Sequence, residues 1–185
     1  QGLARSQGSR FEPFGEQQGA PAAEATALLA ASTALSDGIV WTGYRDGTVA
    51  AWCKGKFTTL SLNEPLPDHP VRALLAGPDN TFWLASRGGG VWQVDTNAMR
   101  STAFNTGLPT LRVNALVDLG EGVLLAGTDS GLFRLHMDRW SPVAEEPLRG
   151  KRILALFADS LGVLVGTNEG YVELGRDLAQ LAIDQ

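Results

Sequence analysis

Two histidines, a single cysteine and a run of three glycines are where chemistry could begin in this chain. His69 lies in the loop PLPDHPV, and His136 follows the apolar run LFRL. Neither stands at metal-ligand spacing from a cysteine or a second histidine. Asp138 near His136 is one carboxylate, which does not complete a zinc set. Cys53 follows Trp52 with no base close in sequence to activate it as a nucleophile. The phrase Ser86-Arg87-Gly88-Gly89-Gly90 could cradle an anion on its backbone N–H groups or serve simply as a tight turn. Glu145 and Glu146 are adjacent carboxylates in a loop-like stretch, a pattern of solvated surface. No phosphate-binding loop, nucleophile elbow or calcium loop occurs. The inventory predicts no catalytic set, no metal and no cofactor: a protein that binds rather than transforms.

Charge and composition narrow the partners. The net charge is −5 over 185 residues, which argues against nucleic acid, because phosphate neutralisation needs a basic face. A hydrophobic content of 44%, with 22 glycines, suits a globular chain rich in strands and turns. The lone cysteine rules out an internal disulfide and leaves the redox compartment open. The longest charge-free apolar stretch, residues 25–36, is too short to span a bilayer, so no membrane contact is expected within the chain. A start at Gln1 rather than Met suggests a removed leader or an excised piece.

The elements that would position any site are legible as a repeat. Gly43, Ala85, Gly127 and Gly166 each close an apolar strand, at spacings of 42, 42 and 39 residues. Four residues after each comes a second glycine (Gly47, Gly89, Gly131, Gly170), placed to supply the positive φ of a hairpin turn. Upstream recurs an inner apolar phrase, VRALLAG from Val71, VNALVDL from Val113 and ILALFAD from Ile153, with ATALLAA around Ala27 as a degenerate first copy. Downstream of the first three hairpins lie the more polar stretches KFTTLSL, RSTAFN and RWSPVA. Four short strands per period of about 40 residues is the signature of a β-propeller blade. Leucine-rich repeats are shorter, and helical repeats need a 3.6 periodicity that is absent. A sandwich remains as an alternative, though it would not demand so regular a period. The fold expected is therefore all-β, with about four blades of four-stranded antiparallel sheet at residues 25–66, 67–108, 109–149 and 150–176. Residues 1–24 read as the outer strand of a preceding or closing blade, and residues 177–185 as a tail or last outer strand. Trp41, Trp83, Leu125 and Leu164 recur at one blade position and are expected to form inter-blade core, with Trp52, Trp92 and Phe133 packing around the next strand.

The phrase GLPTLRVNALVDLGEGVLLAGTDSGLFRL, residues 107–135, resembles the two-component regulator propeller repeat: a Gly-Leu-Pro loop, Val-x-x-Leu, a short acidic turn, a strand ending in Gly-Thr and a Gly-led strand. GTNEGYVEL keeps the hairpin in the last copy. Ala85-Ser86 and Gly43-Tyr44 depart from it. The resemblance covers roughly residues 11–174. It implies a ring of more blades than four, usually seven, in the periplasmic or extracytoplasmic sensor part of a bacterial signalling protein. A membrane anchor and a histidine kinase, diguanylate cyclase or other output domain would follow. On that reading the chain is a piece of a larger ring; a self-associating partial ring and a small closed ring are the alternatives.

In propeller geometry the hairpin turns and the loops entering the inner strands emerge together, and binding sites favour such loops. The candidate ligand or partner residues are then Arg45, Asp46, Arg87, Asp129, Asn168 and Glu169 from the turns, and Asp68, Arg112, Lys151 and Arg152 from the entering loops. The partner expected is an unidentified small molecule or protein. A standalone interaction scaffold is the competing function. A propeller lyase or hydrolase is a third, and would need His69 or His136 in a central channel among carboxylates.

Overall fold

A computed structural model describes residues 3–7, 9–30, 38–120, 122–143 and 146–178. Glu145 and all but the first two residues of the expected tail, 177–185, lie outside them. Alternating apolar and polar residues bounded by glycine turns give seventeen short strands among the described residues. In chain order they are β1 (Ala4–Gln7), β2 (Arg10–Pro13), β3 (Ala25–Ala30), β4 (Val40–Tyr44), β5 (Val49–Cys53), β6 (Lys56–Thr59), β7 (Val71–Ala76), β8 (Thr81–Ser86) and β9 (Gly90–Asp95). They continue with β10 (Arg100–Ala103), β11 (Val113–Asp118), β12 (Leu124–Thr128), β13 (Gly131–His136), β14 (Arg139–Pro142), β15 (Ile153–Ala158), β16 (Gly162–Thr167) and β17 (Gly170–Gly175).

The strands pair strictly with their chain neighbours. β3 to β6, β7 to β10 and β11 to β14 form three four-stranded sheets, β15 to β17 a three-stranded one, and β1 with β2 a separate hairpin. The inner strand of the first, third and fourth sheets carries the same irregularity: Ala25, Val113 and Ile153 pair with the last residue of the next strand, and pairing then skips one residue. Contacts divide the chain into two compact units, Gln1–Leu84 with Gln93–Thr102, and Ala85–Trp92 with Ala103–Gln185.

In the first unit, glycine at position 43 has a packing reason. A Cβ there would collide with the side chain of Val71, the first residue of β7. Trp41 is buried and lies 5.1 Å from the ring of Phe82. The other face of β4 and β5 meets the N-terminal segment: Phe14 packs 4.2 Å from Trp52 and 5.6 Å from Phe57. The β1–β2 register, Gln7 opposite Arg10, repeats that of His136 opposite Arg139 in β13–β14. RFEP thus stands where RWSP stands in the third sheet.

The second unit has one continuous apolar core, in which Leu125 and Leu132 of the third sheet pack with Ile153, Val163, Val165 and Leu174 of the fourth. Gly127 repeats the role of Gly43, since a Cβ there would stand 2.6 Å from Ile153 Cγ2. Trp140 is buried and donates its indole N–H to the carbonyl of Phe104 at 2.6 Å. The expectation that Trp41, Trp83, Leu125 and Leu164 all form inter-sheet core fails at Leu164, which is exposed because no sheet covers its side among the described residues.

Candidate functional site

The hairpin turns are built by the Gly-Thr-x-x-Gly phrase itself. In β12–β13 the Thr128 hydroxyl donates to the Gly131 carbonyl at 2.9 Å and accepts the Ser130 N–H at 3.0 Å. In β16–β17 Thr167 repeats both bonds, to Gly170 and from Glu169, at 3.1 Å each. Gly131 and Gly170 take φ values of +127° and +136°, a region closed to most L residues. Each turn is then tied to the loop entering its own inner strand, as the N–H of Asp129 donates to the Arg112 carbonyl and that of Asn168 to the Arg152 carbonyl, both at 3.1 Å. Turn chemistry and loop chemistry are thereby held together on a rigid frame.

In the second unit this brings seven of the sequence candidates into one neighbourhood. The Asp129 carboxylate, itself mostly buried, lies 3.7 Å from Arg112 Nη1 and 3.5 Å from Arg152 Nε. Its third partner is Asn114, whose Nδ2 donates to Asp129 Oδ1 and to the Ile153 carbonyl, both at 2.9 Å. Asn168 Oδ1 accepts the N–H of Arg152 at 3.1 Å, and Lys151 Nζ meets Glu169 Oε2 at 2.6 Å. Arg87 reaches the group through its backbone, in an isolated antiparallel bridge to Arg112. Two guanidiniums on one carboxylate, beside a neutral Lys–Glu pair, leave a net positive charge in a protein that is acidic as a whole. Both arginine side chains remain about half exposed or more. Such an arrangement can offer fixed N–H donors to an anionic group from solvent.

The first unit holds the other candidates. Arg45 Nε pairs with Glu24 Oε2 at 2.9 Å, and the N–H of Arg45 donates to the Glu24 carbonyl at 2.8 Å. Asp46 Oδ1 accepts the Thr48 N–H at 3.0 Å, so that carboxylate shapes its own turn. Asp46 and Asp68 flank an open cleft of about 380 Å³ that Leu60, Leu62 and Pro65 also line.

Of the two readings of the Ser86–Gly90 phrase, the structure shows the tight turn: the N–H groups of Gly88 and Gly90 both donate to the Leu111 carbonyl at 3.0 Å, and that of Gly89 to Ser86 Oγ at 2.9 Å. One expectation is corrected, because Gly89 does not supply the positive φ of its turn. Gly88 and Gly90 do so instead, at +137° and +78°, because the shared Leu111 acceptor fixes the residues on either side of Gly89. His69 and His136 are both exposed, and Cys53 is a half-buried free thiol at the end of β5. Among the described residues, no three His, Cys, Asp or Glu side chains stand close enough to hold a metal. Asn114 is the one participant that the sequence reading passed over. The only signal was an amide inside the apolar phrase VNALVDL, where the neighbouring copies have Arg72 and Leu154.

No family model matches the sequence, and no curated protein does. Solved structures do resemble it. The extracellular domain of a protein described as a hybrid two-component system of B. thetaiotaomicron superposes with a TM-score of 0.74 at 14% identity, covering 94% of this chain and 26% of that one. The WD40 β-propeller domain of Doa1 gives a TM-score of 0.68 at 20% identity, over 83% of this chain and 51% of that one. A protein described as a gluconolactonase gives 0.65 at 15% identity, over 93% and 66%. The chain thus spans between about a quarter and two thirds of these structures. It is an all-β protein of the propeller class, with blade sheets of the kind found in extracellular sensor domains and WD40 propellers. No helix among the described residues is long and apolar enough to cross a membrane.

Proposed function

We propose that this chain is the non-catalytic, extracytoplasmic binding part of a bacterial signal-transduction protein, and that Arg112, Asp129 and Arg152 form its ligand- or partner-contacting group. The observation that carries the reading is the carboxylate–diarginine cluster. A largely buried Asp129, braced by Asn114, holds two partly exposed guanidiniums with one positive charge in excess. The likeness to a two-component extracellular domain supports the sensor setting, and the sequence resemblance to the two-component regulator propeller repeat agrees with it. The chemistry favours an anionic ligand, a carboxylate on a small molecule or on an acidic peptide. Binding would bias an output domain by favouring one arrangement of the propeller over another.

The test is a thermal-shift screen of the purified chain against di- and tricarboxylates and short acidic peptides. A ligand at about 100 times its Kd stabilises by about 2.7 kcal/mol, a shift of about 5–10 °C for a protein of this size. The shift should vanish in Arg112→Ala and Arg152→Ala, whose own Tm values should move little because exposed pairs contribute about 0–1 kcal/mol. A hit that survives both substitutions would place binding elsewhere. The alternative of a propeller hydrolase draws on the gluconolactonase-like structure. It predicts turnover of aldonolactones that His69→Ala or His136→Ala abolishes.

A further inference from the structure

The outer strands β6, β10 and β14 part from their neighbours in the same way. The residue just past each of them, Leu60, Phe104 or Val143, donates its N–H to the carbonyl of Val49, Val91 or Leu132, at 2.8, 2.8 and 2.9 Å. Beyond that rung the chain turns away, so the N–H of the same β5 or β9 residue has no ladder partner and must be satisfied otherwise. In the second sheet a side chain takes the place of the strand. Asn105 Oδ1 accepts the N–H of Val91 at 2.8 Å, and Asn105 Nδ2 donates to the Gly89 carbonyl at 3.4 Å. In the first sheet Ser61 follows Leu60 where Asn105 follows Phe104, and no described residue accepts the N–H of Val49. Val49 lines the open cleft of about 380 Å³ instead, together with Leu60, Leu62 and Pro65, and with the carboxylate-bearing Asp46 and Asp68.

We infer that this cleft is a second binding site, for the carboxamide side chain of a glutamine or asparagine on a basic peptide. The carboxamide oxygen accepts the Val49 N–H as Asn105 Oδ1 accepts that of Val91. The second sheet shows the fit with the chain's own side chain, and the first sheet leaves the same place open to one from outside. A volume of about 380 Å³ lies within the roughly 300–1,000 Å³ of ligand pockets and takes a side chain with its flanking backbone. The apolar walls suit the methylenes of glutamine. A carboxylate in the same place would face Asp46 and Asp68 in a chain of net charge −5, and an alkyl group would leave the buried donor unpaired. Lysine or arginine beside the carboxamide complements the two aspartates. The site is distinct from the Arg112–Asp129–Arg152 group, which is opposite in charge and belongs to the other compact unit.

The test is a titration of the ¹⁵N-labelled chain with three capped peptides, acetyl-Lys-Gln-Lys-amide and its Leu and Glu counterparts, read at the Val49 amide. The Gln peptide should move the Val49 amide proton downfield, as a new hydrogen bond does. The Leu peptide should bind about 5-fold or more weaker, and the Glu peptide weaker still. Asp68→Asn should weaken the Gln peptide about 2–5-fold, the range of an exposed ion pair. Ser61→Asn supplies the chain's own plug. Its Val49 amide proton should stand downfield without peptide, its affinity for the Gln peptide should fall about 10-fold, and its Tm should hold within about 2 °C or rise. Should Ser61→Asn not fold, the order of the three peptides decides. The inference is overturned if the Gln peptide leaves the Val49 amide where it was, or if the Leu or Glu peptide binds as tightly. It is overturned as well if folded Ser61→Asn binds the Gln peptide like the original chain.

Discussion

Asn114→Ala should be among the most damaging single changes in the second unit. The side chain is nearly buried and its amide bridges two elements: the carboxylate of Asp129 on the β12–β13 turn and the carbonyl of Ile153, where the fourth sheet begins. Truncation deletes one neutral hydrogen bond, worth about 1 kcal/mol, and one to a charged group, worth about 1.5–3 kcal/mol. It also leaves the Ile153 carbonyl without its side-chain donor. A total loss of about 3 kcal/mol follows, or about 6–12 °C in Tm for a chain of this length. Urea unfolding gives the free energy, and Arg72→Ala, at the corresponding exposed position of the second sheet, serves as the control expected within about 0.5 kcal/mol. A cycle combining Asn114→Ala with Asp129→Ala should show a coupling of about 1 kcal/mol or more. A single-mutant loss below about 1 kcal/mol, or strict additivity in the cycle, would refute the view that Asn114 braces the cluster.

Other substitutions probe the rest of the frame. Trp140→Ala should cost about 3–5 kcal/mol by urea unfolding, since it empties a buried site and removes the indole donor to the Phe104 carbonyl. Phe14→Ala should cost about 1–3 kcal/mol by removing its contacts with Trp52 and Phe57, and should speed hydrogen exchange in β1 and β2. Tyr44 supplies a pH dependence: burial pushes its phenol above the usual 10.0, the Asp46 carboxylate adds to the rise and the Thr42 hydroxyl partly offsets it. The unfolded phenol therefore ionises first, so stability intact below pH 10 falls as pH rises from there through the folded value. Tyr44→Phe should flatten that alkaline loss in pH-resolved unfolding.

The sequence by itself determined the repeat, the strand order and the hairpin turns. These depend on local chemistry: strict alternation sets the faces of a strand, and Gly-Thr followed three residues later by Gly closes a turn with the threonine's own hydroxyl, as Thr128 and Thr167 do. The entering loops were legible for the same reason, because each follows a proline-containing stretch and precedes an apolar inner strand. Tertiary structure alone decided the rest. Asn114 became a brace because residues 15 and 39 positions away in the chain converge on its amide, a contact no local pattern encodes. The glycines of Ser86–Gly90 lost their anion-binding capacity to the carbonyl of Leu111, more than twenty residues distant. Leu164 and Leu125 occupy the same place in the repeat, yet one is exposed and the other buried. A periodic sequence specifies equal faces, but burial depends on whether a neighbouring sheet stands over each one.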